Sequence, residues 1–253
     1  MEDISLLIDL HKNNLRQGPG GLAETQLALS LSRTAVDAPL KIADIGCGTG
    51  ASTMALARSL PQSHIVAVDF LQEFIDVLRN NADAAGFGDR ITTMACSMDA
   101  LPFADEEFDL VWSEGAIYNM GFEAGLKAWR RFLKPGGVMA VSEITWLTQT
   151  RPEEIQSHWV EEYPEIDVAS AKIAMLEKHG YSPIGYLTLP ESCWLENYYH
   201  PIQHSLKDFL DRNSHSAEAQ AIASAEQEEL ALYQKYKNYY SYGFYLAKRV
   251  DKV

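Results

Sequence analysis

The stretch KIADIGCGTG, residues 41–50, decides the fold of this protein together with the segment ASTMALARSL that follows it at 51–60. The first stretch opens with an apolar run that predicts a buried strand, and the second segment has the pattern of a helix. Between them lie Gly46, Gly48 and Gly50, which lack a Cβ atom and so allow positive φ angles and close approach to a ligand. Open α/β sheets bind ligands at such turns.

Short apolar runs and helical patterns alternate along the chain. Strands are predicted at 42–45, 65–68, 91–95, 108–112, 138–141, 181–189 and 239–248, and helices at 71–85, 121–133 and 168–179. The Pro- and Glu-rich stretch at 151–167 is less regular. The alternation predicts an α/β protein that is built on a parallel sheet.

Composition and charge argue against several classes of protein. The 253 residues carry a net charge of −14, which disfavours binding to nucleic-acid phosphates. No apolar run approaches the roughly 20 residues that span a bilayer. The N-terminal residues also lack the basic region and continuous hydrophobic stretch of an export signal. The three cysteines are scattered, and the seven histidines form no HxH or HExxH pair. We therefore expect a cytoplasmic protein with no membrane insertion and no metal site.

Two aspartates indicate the chemistry of the ligand. Asp44 precedes the first glycine by two positions, where it suits a cation better than a pyrophosphate, although it could instead satisfy N–H groups of the turn. Asp69 ends the second predicted strand about 20 residues after the glycines, where a carboxylate can accept hydrogen bonds from two ribose hydroxyls. The GxGxG spacing also differs from the GxGxxG of dinucleotide-binding turns.

The chain contains four segments whose order and spacing resemble the motifs of class I methyltransferases that depend on S-adenosylmethionine (SAM): ADIGCGTG at 43–50, VAVDF at 66–70, CSMDALPFADEEFDLVWSEGAIYNM at 96–120 and RRFLKPGGVMAVSE at 130–143. The resemblance covers residues 40 to 145 and is closest to the small-molecule branch that includes ubiquinone and menaquinone biosynthesis enzymes. It implies a Rossmann-like seven-stranded sheet of order 3-2-1-4-5-7-6, with the last strand antiparallel, and SAM as the methyl donor.

The same resemblance implies how the chain is organised. We expect a single domain with an N-terminal helical cap (1–38), a SAM-binding core (39–189), a helical insertion (190–238) and a final strand (239–253). In such a topology the insertion projects near the active site. We therefore interpret it, with the N-terminal helices, as a cap over the substrate.

The motifs also imply roles for particular side chains. The glycines would face the methionine moiety of SAM, Asp69 would hold the ribose and Phe70 would lie against the adenine. Relatives often have an acidic residue at the position of Ser97, so adenine recognition falls to Ser97, to backbone groups or to Asp99. The loop at 16–20 is either an interhelical turn or a loop that closes over the SAM carboxylate. The predicted donor site comprises Arg16, Asp44, Gly46, Cys47, Gly48, Gly50, Asp69, Phe70, Ser97, Met98 and Glu114.

Methyl transfer from a sulfonium requires no nucleophile from the enzyme, but a hydroxyl or carbon acceptor would require a general base. Four side chains are candidates for this base, each with a structural or surface role as the alternative: Glu114, Glu143, His158 and His200. The acceptor is predicted to contact Tyr118, Asn119, Tyr198 and Tyr199, of which the last two could equally form the core of the cap. Packing is the predicted role of Tyr236, Tyr239, Tyr240 and Tyr242.

The sequence therefore predicts a methyltransferase that acts on a small-molecule acceptor. A SAM-binding protein without transfer activity, acting as a sensor or partner, is the alternative from another class. An NAD-dependent oxidoreductase is a third alternative, which the glycine spacing disfavours.

Overall fold

A mixed β-sheet forms the centre of the protein in a computed structural model that describes residues 4–251. Its strands are, in chain order, β1 (Lys41–Ile45), β2 (His64–Asp69), β3 (Ile91–Ala95), β4 (Phe108–Glu114), β5 (Leu133–Trp146), β6 (Asp167–Val168), β7 (Tyr181–Thr188) and β8 (Tyr240–Arg249). They lie in the order β3-β2-β1-β4-β5-β8-β7, and β6 pairs with β5. Strand β8 is antiparallel to both neighbours. The predicted order is confirmed. The short strand β6 was not predicted, and its presence changes the numbers of the last two strands from 7 and 6 to 8 and 7.

Strand β5 is longer than the sequence predicted. It pairs with β8 from Val138 to Trp146, and its first residue, Leu133, already pairs with Phe108 of β4. The register between β4 and β5 shifts before Leu110, so the predicted turn around residues 134–137 is a bulge inside the strand. The long antiparallel partner β8 extends β5 past the end of β4.

Ten α-helices surround the sheet within residues 4–251: α1 (Ser5–His11), α2 (Leu22–Leu31), α3 (Ala51–Ser59), α4 (Gln72–Ala84), α5 (Phe122–Arg130), α6 (Glu153–Glu162), α7 (Ala169–Lys178), α8 (Glu191–Trp194), α9 (His200–Arg212) and α10 (Ala217–Tyr236). A π-helical turn over Leu195–Tyr199 joins α8 to α9. Helix α6 lies in the stretch at 151–167 for which no helix was predicted. Its apolar stripe is too narrow to give a clear helical pattern, since Ile155 is buried and Trp159, one turn later, is only half-buried.

The N-terminal helix and the insertion pack against each other. Their shared apolar cluster consists of Leu10, Ile202, Leu206, Phe209, Ala219 and Ala223. At the edge of this cluster, His11 Nε2 lies 3.2 Å from Glu226 Oε1, and Arg212 Nη2 lies 3.1 Å from Asp9 Oδ2. The N-terminal helix and the insertion therefore form one layer, and its role as a cap over the substrate stays a prediction.

The sheet and the helices on its faces should dominate the stability of the fold. Leu126 of α5 is fully buried, whereas Leu27 of α2 is 49% exposed. We expect Leu126→Ala to lower the free energy of unfolding by about 2–5 kcal/mol, because it removes buried contacts and leaves a cavity. Leu27→Ala, the same change in another helix, should alter it by about 0.5 kcal/mol or less. Urea denaturation measures both, and equal losses would contradict this description of the core.

Candidate functional site

The glycine-rich loop joins β1 to α3 and packs closely against neighbouring segments. Gly46 has a φ of +74°, and a Cβ atom there would lie 2.3 Å from the Cβ of Ala116. Gly48 has a φ of +55°, and a Cβ there would lie 2.3 Å from Oε1 of Gln17. A side chain at either position would therefore be strained and would displace a neighbour.

Asp69, at the end of β2, shapes this loop and faces open space. Its Oδ2 accepts a hydrogen bond of 2.8 Å from the Gly48 N–H, and its Oδ1 accepts one of 3.0 Å from the Leu71 N–H. Burial raises the pKa of this carboxyl above its ordinary value. Because each carboxylate oxygen can accept more than one hydrogen bond, Asp69 retains capacity for ligand hydroxyls.

Asp44, in contrast, lies beneath the loop and is fully buried. Its Oδ2 accepts hydrogen bonds from the hydroxyls of Ser52 at 2.8 Å and Thr53 at 2.6 Å, both in the first turn of α3. Its Oδ1 has no hydrogen-bond partner within the described structure. Burial raises the pKa of Asp44 to about 7. Asp44 thus holds the start of α3 against the end of β1.

Glu114, at the end of β4, is the most densely bonded acid in the site. Its Oε2 lies 2.7 Å from Nη1 of Arg16, and its Oε1 accepts hydrogen bonds from Thr25 Oγ1 at 2.7 Å and Trp112 Nε1 at 2.9 Å. The Glu114 and Arg16 side chains are each 9% exposed. The carboxylate is therefore committed to three protein donors.

The loop between α1 and α2 lies across the glycine-rich loop. Oε1 of Gln17 accepts a hydrogen bond of 2.9 Å from the Thr49 N–H, and Nε2 of Gln17 donates to the carbonyl of Asn14 at 3.0 Å. On the other side of the same loop, Asn197 Nδ2 donates to the Gly20 carbonyl at 2.8 Å. The loop is thus bonded both to the core and to the insertion.

A cavity of about 560 Å³ lies between this loop and the carboxyl ends of the parallel strands. Nine of the predicted donor-site residues line it: Arg16, Gly46, Cys47, Gly48, Asp69, Phe70, Ser97, Met98 and Glu114. Asn119 and Tyr118 line it as well, and so does Asp99. Two predicted residues, Asp44 and Gly50, lie outside the lining and support the loop from behind. We refer to this space as the first cavity.

A second cavity of about 360 Å³ adjoins the first. The two share a wall made of Gln17, Gly18, Pro19, Gly115 and Tyr118. Of the predicted residues, Tyr198, Tyr199 and His158 line the second cavity, so the structure brings them to the same place as Tyr118. His200 is exposed at the start of α9 and lines neither cavity.

Glu143 also lines neither cavity, although it lies behind Tyr163 of the second one. It is fully buried, and its Oε1 lies 3.5 Å from Nζ of Lys172, which is itself 1% exposed. Burial raises the pKa of Glu143 to about 7, and the Lys172 ammonium opposes that effect. The ammonium also lies 4.5 Å from the ring centre of Phe122. Glu143 and Lys172 therefore form a buried pair that fastens α7 to β5.

Sequence reasoning missed several residues of the site. Tyr240 and Tyr242 of β8, predicted as packing, line the second cavity together with Trp159 and Glu229. Thr25, which donates a hydrogen bond to Glu114, was also missed, because no motif in the sequence marks it as a site residue. The alternation of β8 would have placed Tyr240 and Tyr242 on one face, but no local pattern shows that this face borders a cavity.

Among residues 4–251, none of the helices combines the length and the apolar character of a membrane-spanning segment. The same range contains no group of three or more His, Cys, Asp or Glu side chains arranged to hold a metal ion.

Comparisons with known proteins agree with this geometry. Residues 42–137 match the family described as the methyltransferase domain. This segment of the chain is therefore similar to the methyltransferase domain. Over 185 residues the chain is 26% identical to a ubiquinone/menaquinone biosynthesis C-methyltransferase from Hahella chejuensis, a match that covers 72% of this chain and 70% of that protein. The chain spans less than half the length of the next two curated relatives, 37% and 46%.

Solved structures share the fold of nearly the whole chain. A SAM-dependent methyltransferase from Geobacter sulfurreducens, in complex with S-adenosyl-L-homocysteine, superimposes with a TM-score of 0.85 at 17% identity and covers 98% of this chain and 99% of its own. The cyclase SpnF superimposes with a TM-score of 0.76 at 19% identity, over 98% and 92% of the two chains. At these identities the likeness establishes the fold.

The buried carboxyl of Asp44 should make stability depend on pH. Its pKa is about 7 in the folded protein, against an ordinary value of 3.8. Between these values the unfolded chain loses a proton that the folded protein keeps, so rising pH favours unfolding. We expect the free energy of unfolding, measured relative to the always neutral Asp44→Asn variant, to fall from pH 4 to pH 7 and then level off. Urea denaturation across this range measures it, and a difference independent of pH would contradict the shift.

Proposed function

We propose that this protein transfers a methyl group from SAM to a small-molecule acceptor. The observation that carries the proposal is the pair of adjoining cavities. One lies on the glycine-rich loop at the carboxyl edge of the sheet, the other is enclosed mainly by aromatic side chains, and both reach Tyr118 and Gly115. A donor in the first and an acceptor in the second would meet at their shared wall.

The residues of the first cavity suit SAM. The backbone of the Gly46–Gly48 turn would receive the methionine moiety, and the free lone pairs of Asp69 would accept the ribose hydroxyls. Phe70 is 69% exposed at the cavity rim, where its ring can cover an adenine, with Met98 on the lining beside it. The structural relative from Geobacter sulfurreducens was solved with S-adenosyl-L-homocysteine, which supports this choice of donor.

The enzyme's own contribution to such a reaction is alignment and the exclusion of water. Of the four residues considered as a base, Glu114 is already held by three donors and serves instead to position Arg16. Glu143 and His200 line neither cavity, which leaves His158 at the second cavity. Cys47 stays a thiol, because burial raises its pKa.

The fold by itself does not establish the activity, since the cyclase SpnF has the same fold. A protein that binds SAM without transferring its methyl group would need no second cavity, and the second cavity here therefore favours an enzyme. The net charge of −14 favours a small acceptor over a nucleic acid. We also propose that the protein acts in the cytoplasm, because its three scattered cysteines form no disulfide framework and so suit a reducing compartment.

Isothermal titration calorimetry with SAM, S-adenosylhomocysteine and NADH tests the donor. We expect both adenosyl ligands to bind and NADH not to bind. Asp69→Ala should weaken SAM binding at least about tenfold, because hydrogen bonds to a charged group contribute about 1.5–3 kcal/mol. Asp76→Ala is the matched control, since Asp76 is an exposed residue of the neighbouring helix α4 and should leave affinity unchanged.

Circular dichroism must show that both variants are folded, because Asp69 also binds the Gly48 N–H. Absence of SAM binding by the wild-type protein would refute the proposal. If SAM binds but labelled methyl groups never reach any component of a metabolite extract, the protein is a SAM-binding protein without transfer activity.

A further inference from the structure

The second cavity has walls of aromatic rings that come from distant parts of the chain. Trp159 of α6 contacts Tyr240 of β8 with ring centres 5.2 Å apart, and Tyr198 contacts Tyr199 with ring centres 5.0 Å apart. The last two belong to the π-helical turn, a distortion that occurs frequently at functional sites. Because the rings support one another, the cavity offers preformed aromatic surfaces rather than surfaces that must assemble on binding.

The charged side chains at this cavity are mostly acidic. Glu162 and Glu229 line it, His158 is its one basic residue, and neither Lys nor Arg is among its lining residues in the described part of the chain. Within residues 4–251, Glu229 has neither an ion-pair nor a hydrogen-bond partner. An acidic, aromatic cavity attracts cations and disfavours anions, since ring faces carry negative potential.

The surroundings of Glu229 show the same lack of positive charge. Although Glu229 is exposed as a residue, desolvation of its carboxyl raises the pKa to about 7, the carboxylates of Glu226 and Glu162 raise it further, and His11 opposes them. A cation in the cavity would relieve this repulsion and favour the ionised carboxylate.

We propose that the second cavity binds the acceptor as an organic cation, a small aliphatic amine in its protonated form. The binding of a cation rests on the cavity alone, and its role as methyl acceptor rests on the proposed function. Aromatic faces would surround the alkyl groups of the ammonium, and Glu229 would balance its charge. A carboxylate or phosphate acceptor would meet the acidic groups of the cavity and no matching Lys or Arg.

The chemistry of methylation is consistent with such an acceptor. A protonated amine first gives its proton to the Glu229 carboxylate or to a neutral His158 ring, which frees the nitrogen lone pair. That lone pair forms the new N–C bond while the C–S bond of the sulfonium breaks and its electron pair stays on sulfur. The positive charge passes from sulfur to nitrogen, so the methylated amine is again a cation in the same aromatic surroundings. The base releases its proton to solvent.

Choline and its uncharged carbon isostere, 3,3-dimethylbutan-1-ol, have the same shape and differ in charge. We would measure their binding at pH 8, by quenching of tryptophan fluorescence, with and without S-adenosylhomocysteine. Choline should bind at least about tenfold more tightly than the isostere. Glu229→Gln should remove most of this preference. The matched control Glu228→Gln alters the preceding residue of α10, which lines neither cavity, and should preserve the preference.

Each outcome separates the inference from the proposed function. Equal binding of the two probes, binding of neither, or an unchanged preference in Glu229→Gln would overturn the inference. Loss of S-adenosylhomocysteine binding in the wild-type protein, with choline still bound, would overturn the proposed function and leave the cation site in place. Both variants should bind S-adenosylhomocysteine as the wild type does, which also confirms that they are folded.

Discussion

The site depends on one buried ion pair, that of Glu114 with Arg16. A carboxylate that is 9% exposed is costly unless donors compensate its charge, and Glu114 has three of them in Arg16, Thr25 and Trp112. Two of these donors come from the N-terminal segment and one from the same strand as the acid. Removing any partner would leave a buried group unsatisfied, so the N-terminal segment must stay at the carboxyl end of β4. This requirement fixes the position of the loop at 16–21.

That position divides the space above the sheet into two cavities. Gln17 contacts the glycine-rich loop on one side, and Gly20 is bonded to Asn197 of the insertion on the other. The first cavity is therefore formed largely by the sheet edge, whose geometry is common to the fold. The second cavity is formed by α6, the π-helical turn, α10 and β8. Under the proposed function, differences in acceptor among proteins with this core can arise in the second cavity without changes in the first.

Local patterns predicted the sheet and most of the residues that were found to line the first cavity, because both arise from short contiguous segments. The apolar run before Gly46 and the acid at Asp69 each reveal a strand end, and strand ends of a parallel sheet lie at one edge. The ion pair of Glu114 could not be predicted, since Arg16 is 98 residues away in sequence and only the tertiary fold brings the two together. Tyr118, Tyr198 and Tyr199 of the second cavity were predicted as acceptor contacts, but its other aromatic walls were missed for the same reason. Trp159 and Tyr242 are far apart in sequence, and no local pattern around either residue predicts that the two line one cavity.

A crystal structure of the protein with S-adenosylhomocysteine tests most directly whether the two cavities act as donor and acceptor sites. We expect the ribose hydroxyls to bind Asp69 and the adenine to lie beside Phe70. The sulfur should lie at the shared wall near Gly115 and Tyr118 and face the second cavity. A ligand bound elsewhere, or a sulfur turned away from that wall, would contradict it.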